Sequence, residues 1–207
     1  MKPSRPYKLL SILLGYPDRR LVEARDEIAA AVEALSRSPE RAALRRFVTY
    51  LAGSTQTELE RNYVETFDLR RRSAMYLTYY VHGDTRKRGM ALLRLKRLYA
   101  AAGLELTTGE LPDYLPLALE FAALAPDGAG ATLLREHRPA LELLRRSLRD
   151  ADSPYADLLD AVCDGLPRLT AVEREHVRRL AAEGPPEEQV GLQPFAPPEV
   201  MPTEARV

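Results

Sequence analysis

A single cysteine, Cys163, stands among 207 residues, so no internal disulfide can form and the chain suits a reducing compartment. Thirty basic side chains against thirty acidic ones leave no formal net charge, which gives no reason to expect general nucleic-acid binding. Long hydrophobic runs are missing too. Stretches such as Leu9 to Leu14 and Phe121 to Ala125 fall far short of the ~18 to 20 residues that cross a bilayer, so no direct membrane insertion is expected. Lys2 and Arg5 precede only a short apolar segment, which meets Gly15-Tyr16-Pro17-Asp18 with no small-residue cleavage site. A cytoplasmic protein is expected on that basis.

Signs of catalysis are equally scarce. His82, His137 and His176 lie on different segments, without a second histidine or cysteine at metal-ligand spacing, so each is read as a surface or capping residue and no metal is expected. The sequence holds no phosphate-binding glycine loop, no dinucleotide fingerprint and no serine in a nucleophile elbow. An enzyme would need a carboxylate pair assembled only in space, and the chain is read as not an enzyme.

What the chain does have is 45% apolar and 29% charged residues, enough to bury a core without disulfides or structural metal. Apolar residues recur at spacings of three and four between clusters of glycine and proline, and no convincing alternating strand appears. The expected fold is all-α, a single-domain bundle of about eight to nine helices. They run from about Pro6 to Leu14, Arg19 to Ser36, Pro39 to Ala52, Ser54 or Thr55 to Asp68, Asp84 to Ala102, Asp113 to Ala125, Thr132 to Arg149, Pro154 to Cys163 and Thr170 to Glu183. Thr55 and Glu58 have capping-box spacing, and Asp84 and Asp113 are acceptors suited to N-caps. The segment Met75 to Tyr80 is read as an ordered connection or short helical turn. Residues 1–183 form the expected helical domain. From residue 184 on, prolines are frequent and glutamates outnumber arginine, which predicts a disordered acidic tail.

Three helices combine apolar and charged residues in ways that suit binding. In the fifth, Ala91, Leu95, Leu98, Tyr99 and Ala102 share one face while Arg86, Lys87, Arg94, Lys96 and Arg97 share the other. That charge is either a solvated outer face or, because Met90 and Leu93 fall on the basic side, a contact surface for a partner. In the sixth, Tyr114, Ala118 and Phe121 form a stripe beside Leu117 and Leu124, and Glu120 borders it. Asp113 is either a cap and Glu120 a rim residue, or both are acids beside an apolar groove suited to a peptide carrying arginine next to leucines. In the fourth, Leu59, Tyr63 and Phe67 share a face near Glu60, whose charge Arg61, or Arg70 to Arg72, could satisfy locally. Tyr76, Tyr79 and Tyr80 suit an interface and a core about equally.

The order of segments is more specific than any one of them. Glu60-Arg61-Asn62-Tyr63-Val64-Glu65-Thr66-Phe67-Asp68, then Tyr76-Leu77-Thr78-Tyr79-Tyr80-Val81-His82-Gly83-Asp84-Thr85-Arg86, then Arg88-Gly89-Met90-Ala91-Leu92, then Glu110-Leu111-Pro112-Asp113-Tyr114-Leu115-Pro116 closely resembles the delta-subunit (NarJ) family. These are assembly chaperones of membrane-bound respiratory nitrate reductase, a branch of the TorD-like redox-enzyme maturation chaperones. The resemblance covers about Leu9 to Leu180, with a minor departure at Val81 before His82-Gly83.

The resemblance implies an all-helical, TorD-like cytoplasmic protein with no cofactor of its own. Its partner would be the immature, apo catalytic subunit of nitrate reductase, bound in part through its N-terminal segment and held until the molybdenum cofactor machinery has delivered the cofactor. Docking on the membrane subunit would follow. Residues matching the family's motif regions are Tyr63, Phe67, Tyr76, Tyr80, His82, Asp84, Asp113, Tyr114, Leu117 and Glu120. Client-peptide contact is accordingly expected at Tyr63, Phe67, Tyr76, Tyr80, Asp113, Tyr114, Leu117, Glu120 and Phe121, with a secondary contact at Arg86, Met90, Leu93 and Arg94. Three rivals stand beside this reading: a chaperone of the same fold for another molybdenum or tungsten oxidoreductase, a regulator whose basic fifth helix binds nucleic acid with steep salt dependence, and a small-molecule enzyme with a carboxylate pair hidden in the helical bundle.

Overall fold

Hydroxyl and carboxylate acceptors set where the helices begin. The computed structural model describes residues 6–106 and 109–184, and among these the chain forms twelve α-helices. They are α1 (Tyr7–Leu13), α2 (Arg19–Glu23), α3 (Arg25–Ala34), α4 (Pro39–Gly53), α5 (Gln56–Tyr63), α6 (Tyr79–His82), α7 (Arg86–Ala101), α8 (Leu115–Leu124), α9 (Ala129–Glu136), α10 (Arg138–Asp150), α11 (Ala156–Asp164) and α12 (Ala171–Glu183). The Asp18 carboxylate and the Ser38 hydroxyl accept first-turn amides of α2 and α4. Complete capping boxes open α5, between Thr55 and Glu58, and α12, between Thr170 and Glu173. Each satisfies two amides that the helix cannot. The tail expected from residue 184 lies, apart from Gly184, outside the described residues.

The all-α class is as expected, but the helices are more numerous, because two predicted helices break and the aromatic connection contains a short helical turn, α6, one of its two expected forms. The second predicted helix turns at Ala24 (φ −84°, ψ 6°) into α2 and α3, and Arg25 donates to the Ser54 carbonyl across the turn at 2.7 Å. The seventh breaks at His137 (φ −96°, ψ 15°), where Pro139 in the first turn of α10 has no amide to continue the ladder. The fourth predicted helix passes from α5 into a π-helical turn at Val64–Asp68, a local widening that often accompanies function.

Packing centres on α11, whose Leu158, Leu159 and Val162 are fully buried. It lies against α4, α10 and α1; α1 also packs on α8, α8 on α9, α3 on α4 and α10 on α12. Tyr155, just before α11, is the hub of an aromatic cluster with ring centroids 5.1 Å from Phe47, 4.9 Å from Phe67 and 5.9 Å from Tyr63. At the rim Arg46 reaches Asp157 at 2.6 Å and Arg145 reaches Asp160 at 2.6 Å, tying α4 and α10 to α11. Cys163 sits inside this packing at 1% exposure, and burial pushes its thiol up to about 12, so it is chemically inert.

One glycine marks the closest approach of two helices. A Cβ placed on Gly130 of α9 would lie 2.2 Å from the Ala122 Cα of α8, a backbone atom that cannot swing aside. Gly53, by contrast, would meet nothing within 4 Å. Gly130→Ala should therefore destabilise the fold by about 1–3 kcal/mol through overpacking, while Gly53→Ala should not. Urea denaturation of both variants checks this, and equal midpoints would mean that α8 and α9 are not in close contact.

Candidate functional site

Two motif segments distant in sequence pair with each other. The Leu77 amide donates to the Asp113 carbonyl at 2.9 Å and the Leu115 amide to the Met75 carbonyl at 2.7 Å, forming an isolated antiparallel bridge between Tyr76 and Tyr114. This brings the Asp113 carboxylate over the start of α6. Its Oδ2 accepts from the Thr78 amide at 3.1 Å and the Thr78 hydroxyl at 2.5 Å. Arg88 of α7 supplies the counter-charge 3.6 Å away, and its guanidinium stands 5.6 Å from the Tyr76 ring centre and 5.7 Å from that of Tyr79. Arg88 also donates to Asp84 at 2.9 Å. Burying a carboxylate at 0% exposure is costly, and the donors and cation at Oδ2 offset that cost, although Oδ1 has no hydrogen-bond partner among the described residues.

The sequence reading of two aspartates is corrected by this arrangement. Asp113 does not cap the helix it precedes; Tyr114 holds the N-cap position of α8, and Asp113 braces α6 and α7 instead. Asp84 is not the cap of α7 either. Thr85 occupies that place, with its hydroxyl turned back to the His82 carbonyl. Full burial also leaves Asp113 no free surface on which to receive a basic group from another chain.

Most of the aromatic candidates belong to the same interior. Tyr63, Phe67, Tyr80 and Phe121 are buried. The Tyr63 and Tyr114 hydroxyls share a hydrogen bond of 3.1 Å, and burial followed by that contact raises the pKa of Tyr63. Tyr80 donates toward the Arg72 and Ala74 carbonyls, and Tyr99 donates to the Pro112 carbonyl at 2.7 Å while stacking on Phe121 at 4.4 Å. Tyr76, Tyr114, Leu117 and Glu120 remain partly exposed. Glu120 is paired with Lys8 of α1, so it is a rim residue between two packed helices. Glu60 accepts from Gln56, whereas Arg70, Arg71 and Arg72, considered as its local partners, are exposed and make no side-chain bond to it.

The secondary candidates are the most open. Arg86, Met90, Leu93 and Arg94 all lie on the outer face of α7, with Met90 68% and Leu93 40% exposed. Only Leu95 and Tyr99 of this helix are buried.

Among the described residues, two hollows on the surface stand out, and neither takes a wall from α8. The first, about 480 Å³, lies between α1 and the α2–α3 pair and is lined by Leu9, Ile12, Tyr16, Leu21 and Ile28, with Asp18, Arg20 and Glu27 also contributing. Ile12 is 40% and Tyr16 49% exposed. The sequence reading passed over this groove, although its signal was present. Leu10, Leu13 and Leu14 already define the buried face of α1, so Ile12 is an apolar residue on the wrong side. The second hollow, about 1350 Å³, is lined by arginines from three parts of the chain.

The histidines assemble nothing. His137 contacts the Leu133 carbonyl and His176 lies beside Arg179, while burial, then His137 and Lys87, lower the pKa of His82. No group of three or more potential metal-ligating side chains occurs among the described residues, and none of their helices is long and apolar enough to cross a membrane.

Fold and site together define a helical protein whose motif residues brace one another beneath a surface with open hollows. It belongs to the nitrate reductase delta subunit family, which residues 25–161 match. The Nitrate reductase-like protein NarX of Mycobacterium tuberculosis (strain ATCC 25618 / H37Rv) is 37% identical over 157 residues, 76% of this chain and 24% of that protein, so the chain spans about a quarter of that relative. The Probable nitrate reductase molybdenum cofactor assembly chaperone NarJ of Bacillus subtilis (strain 168) is 35% identical over 163 residues, 79% of this chain and 89% of that one. The Nitrate reductase molybdenum cofactor assembly chaperone NarJ of Escherichia coli (strain K12) is 36% identical over 154 residues, 73% of this chain and 65% of the relative.

The two acids of the α8 region should behave oppositely when removed. Asp113→Ala leaves the Thr78 amide and hydroxyl without their acceptor and Arg88 without one of its two counter-charges, and should cost about 3 kcal/mol or more. Glu120→Ala removes a largely exposed ion pair and should change stability by less than about 1 kcal/mol. Urea unfolding followed by circular dichroism measures both, and a mild effect of Asp113→Ala would show that the buried clasp is not structural.

Proposed function

We propose that this chain is an assembly chaperone for a respiratory nitrate reductase, acting in the cytoplasm on the catalytic subunit before its molybdenum cofactor is in place and gripping that subunit's N-terminal segment. Family membership supports the reading, as do the names of relatives called molybdenum cofactor assembly chaperones. The observation that carries the mode of capture is the groove between α1 and α2–α3, where Ile12 and Tyr16 stay exposed over an apolar floor.

An amphipathic client segment would lay its apolar residues on Leu9, Ile12, Leu21 and Ile28, as helix-in-groove recognition requires. Asp18 and Glu27 are exposed on its rim and would receive basic side chains of the client. The outer face of α7 offers Met90 and Leu93 between Arg86 and Arg94 as a second contact, and Glu120 of α8 is tied to α1 through Lys8. Burying three or four apolar side chains at ~1.5 to 3 kcal/mol each, less the cost of ordering a peptide, gives micromolar to nanomolar affinity. Such binding is tight enough to hold a client and weak enough to release it.

Calorimetric titration with a synthetic peptide of the catalytic subunit's N-terminus tests this. Ile12→Glu should weaken binding at least about tenfold, because it places a charge on the apolar floor, and Glu120→Lys should weaken it less. Unchanged affinity in Ile12→Glu would remove the groove from the mechanism, and no binding by the unaltered chain would remove the client.

A further inference from the structure

The second hollow has no part in the capture just described. Its walls carry Arg70, Arg71 and Arg72 from the turn after the π-helix, Arg146 from α10 and Arg178 from α12. Arg146 and Arg178 are paired, with Asp150 at 3.8 Å and Glu175 at 3.1 Å. The first three are exposed, and none has an ion-pair partner among the described residues. Asp84, Asp150 and Glu183 also line the hollow, so five guanidinium groups face three carboxylates and the cavity is cationic. Its floor is partly apolar and aromatic, with Tyr79, Tyr80, Leu143 and Leu180. Three adjacent unpaired cations over an apolar floor suit an acidic segment that also carries apolar side chains.

Gly184, the last described residue, is itself part of the wall. The chain continues from it as Pro185-Pro186-Glu187-Glu188-Gln189-Val190-Gly191-Leu192, and residues 185–207 contain four glutamates and one arginine. Glu188 stands four residues beyond Gly184, a reach of up to about 13 Å for extended chain. A segment tethered at the mouth of the hollow experiences it at roughly millimolar effective concentration. Exposed ion pairs alone are too weak to hold a free peptide, and tethering together with burial of apolar side chains on the floor of the hollow offsets that weakness.

We propose that the arginine hollow is the docking site of the chain's own acidic continuation, with Glu187 and Glu188 on Arg70–Arg72 and Val190 and Leu192 toward the apolar floor. Nothing in this depends on the identity of the client. Docking of this kind is reversible and sensitive to ionic strength.

A spin label reads it in the full-length chain. Because Cys163 is buried and its thiol pushed up to about 12, a Gln189→Cys variant can be labelled at that position alone. Electron paramagnetic resonance should show a restrained label at low salt, with the rotational correlation time falling on the order of threefold in 1 M salt, as expected for screened ion pairs. Combined Arg70→Glu, Arg71→Glu and Arg72→Glu should free the label equally at low salt, and adding Glu187→Arg and Glu188→Arg should restrain it again. Those arginines are exposed, and circular dichroism of the reversed variant confirms that it folds. A label equally mobile under all conditions overturns the proposal, as does one whose restraint ignores both salt and charge reversal. Binding of inorganic pyrophosphate or an acidic peptide to the hollow with the label still free would assign the site to an external anion and overturn it equally.

Discussion

A carboxylate with no access to water sits where three segments meet, and the contacts to its Oδ2 organise the architecture around it, while its Oδ1 has no hydrogen-bond partner among the described residues. Asp113 needs the Thr78 amide and hydroxyl and the nearby Arg88 guanidinium. Supplying them fixes the backbone bridge between residues 75–77 and 113–115, the start of α6, and the inward side of α7. Arg88 in turn is held between Asp84 and the rings of Tyr76 and Tyr79. The motif residues thus form one connected polar and aromatic brace in which each member positions the next.

That brace separates two tasks that sequence alone runs together. Under the proposed function, a stiff interior and binding surfaces that do not share its supports would let the chain hold a client without being pulled apart. Here the stiff interior is built from motif side chains, whereas exposed apolar residues stand on α1 beside α2–α3 and on the outer face of α7, as well as singly at Leu69, Leu124 and Val172. Anchoring differs as well. The clasp grips α7 through Arg88, near its N-terminal end, and only Leu95 and Tyr99 of its sixteen residues are buried, so its outer face with Arg86, Met90, Leu93 and Arg94 is exposed. The arginine hollow lies away from both, between the turn after the π-helix and the end of α12.

Much of the fold could be read from residue order. Periodicity located the helical segments, and the Thr55 and Thr170 starts were legible because a capping box is a local device. The break at His137 was written in Pro139 and overlooked, while the turn at Ala24 and the π-helical turn at Val64–Asp68 carry no comparable local signal and are set by tertiary packing. The site was less legible for a related reason. An aspartate before a helix looks the same whether it caps that helix or crosses to another, and only the antiparallel bridge decides that Asp113 serves Thr78. Similarly, Tyr63 and Phe67 satisfy a binding pattern and a core pattern equally until Tyr155, almost ninety positions away in the sequence, is placed against Phe67.

Hydrogen–deuterium exchange of the full-length chain, with and without the catalytic subunit's N-terminal peptide, tests the division between brace and binding surface most directly. The account predicts new protection across α1 to α3, with the amides of Leu77, Thr78 and Leu115 slow from the start and unchanged by the peptide. Fresh protection confined to residues 113–121, with α1 to α3 unaffected, would contradict it and return the binding surface to α8.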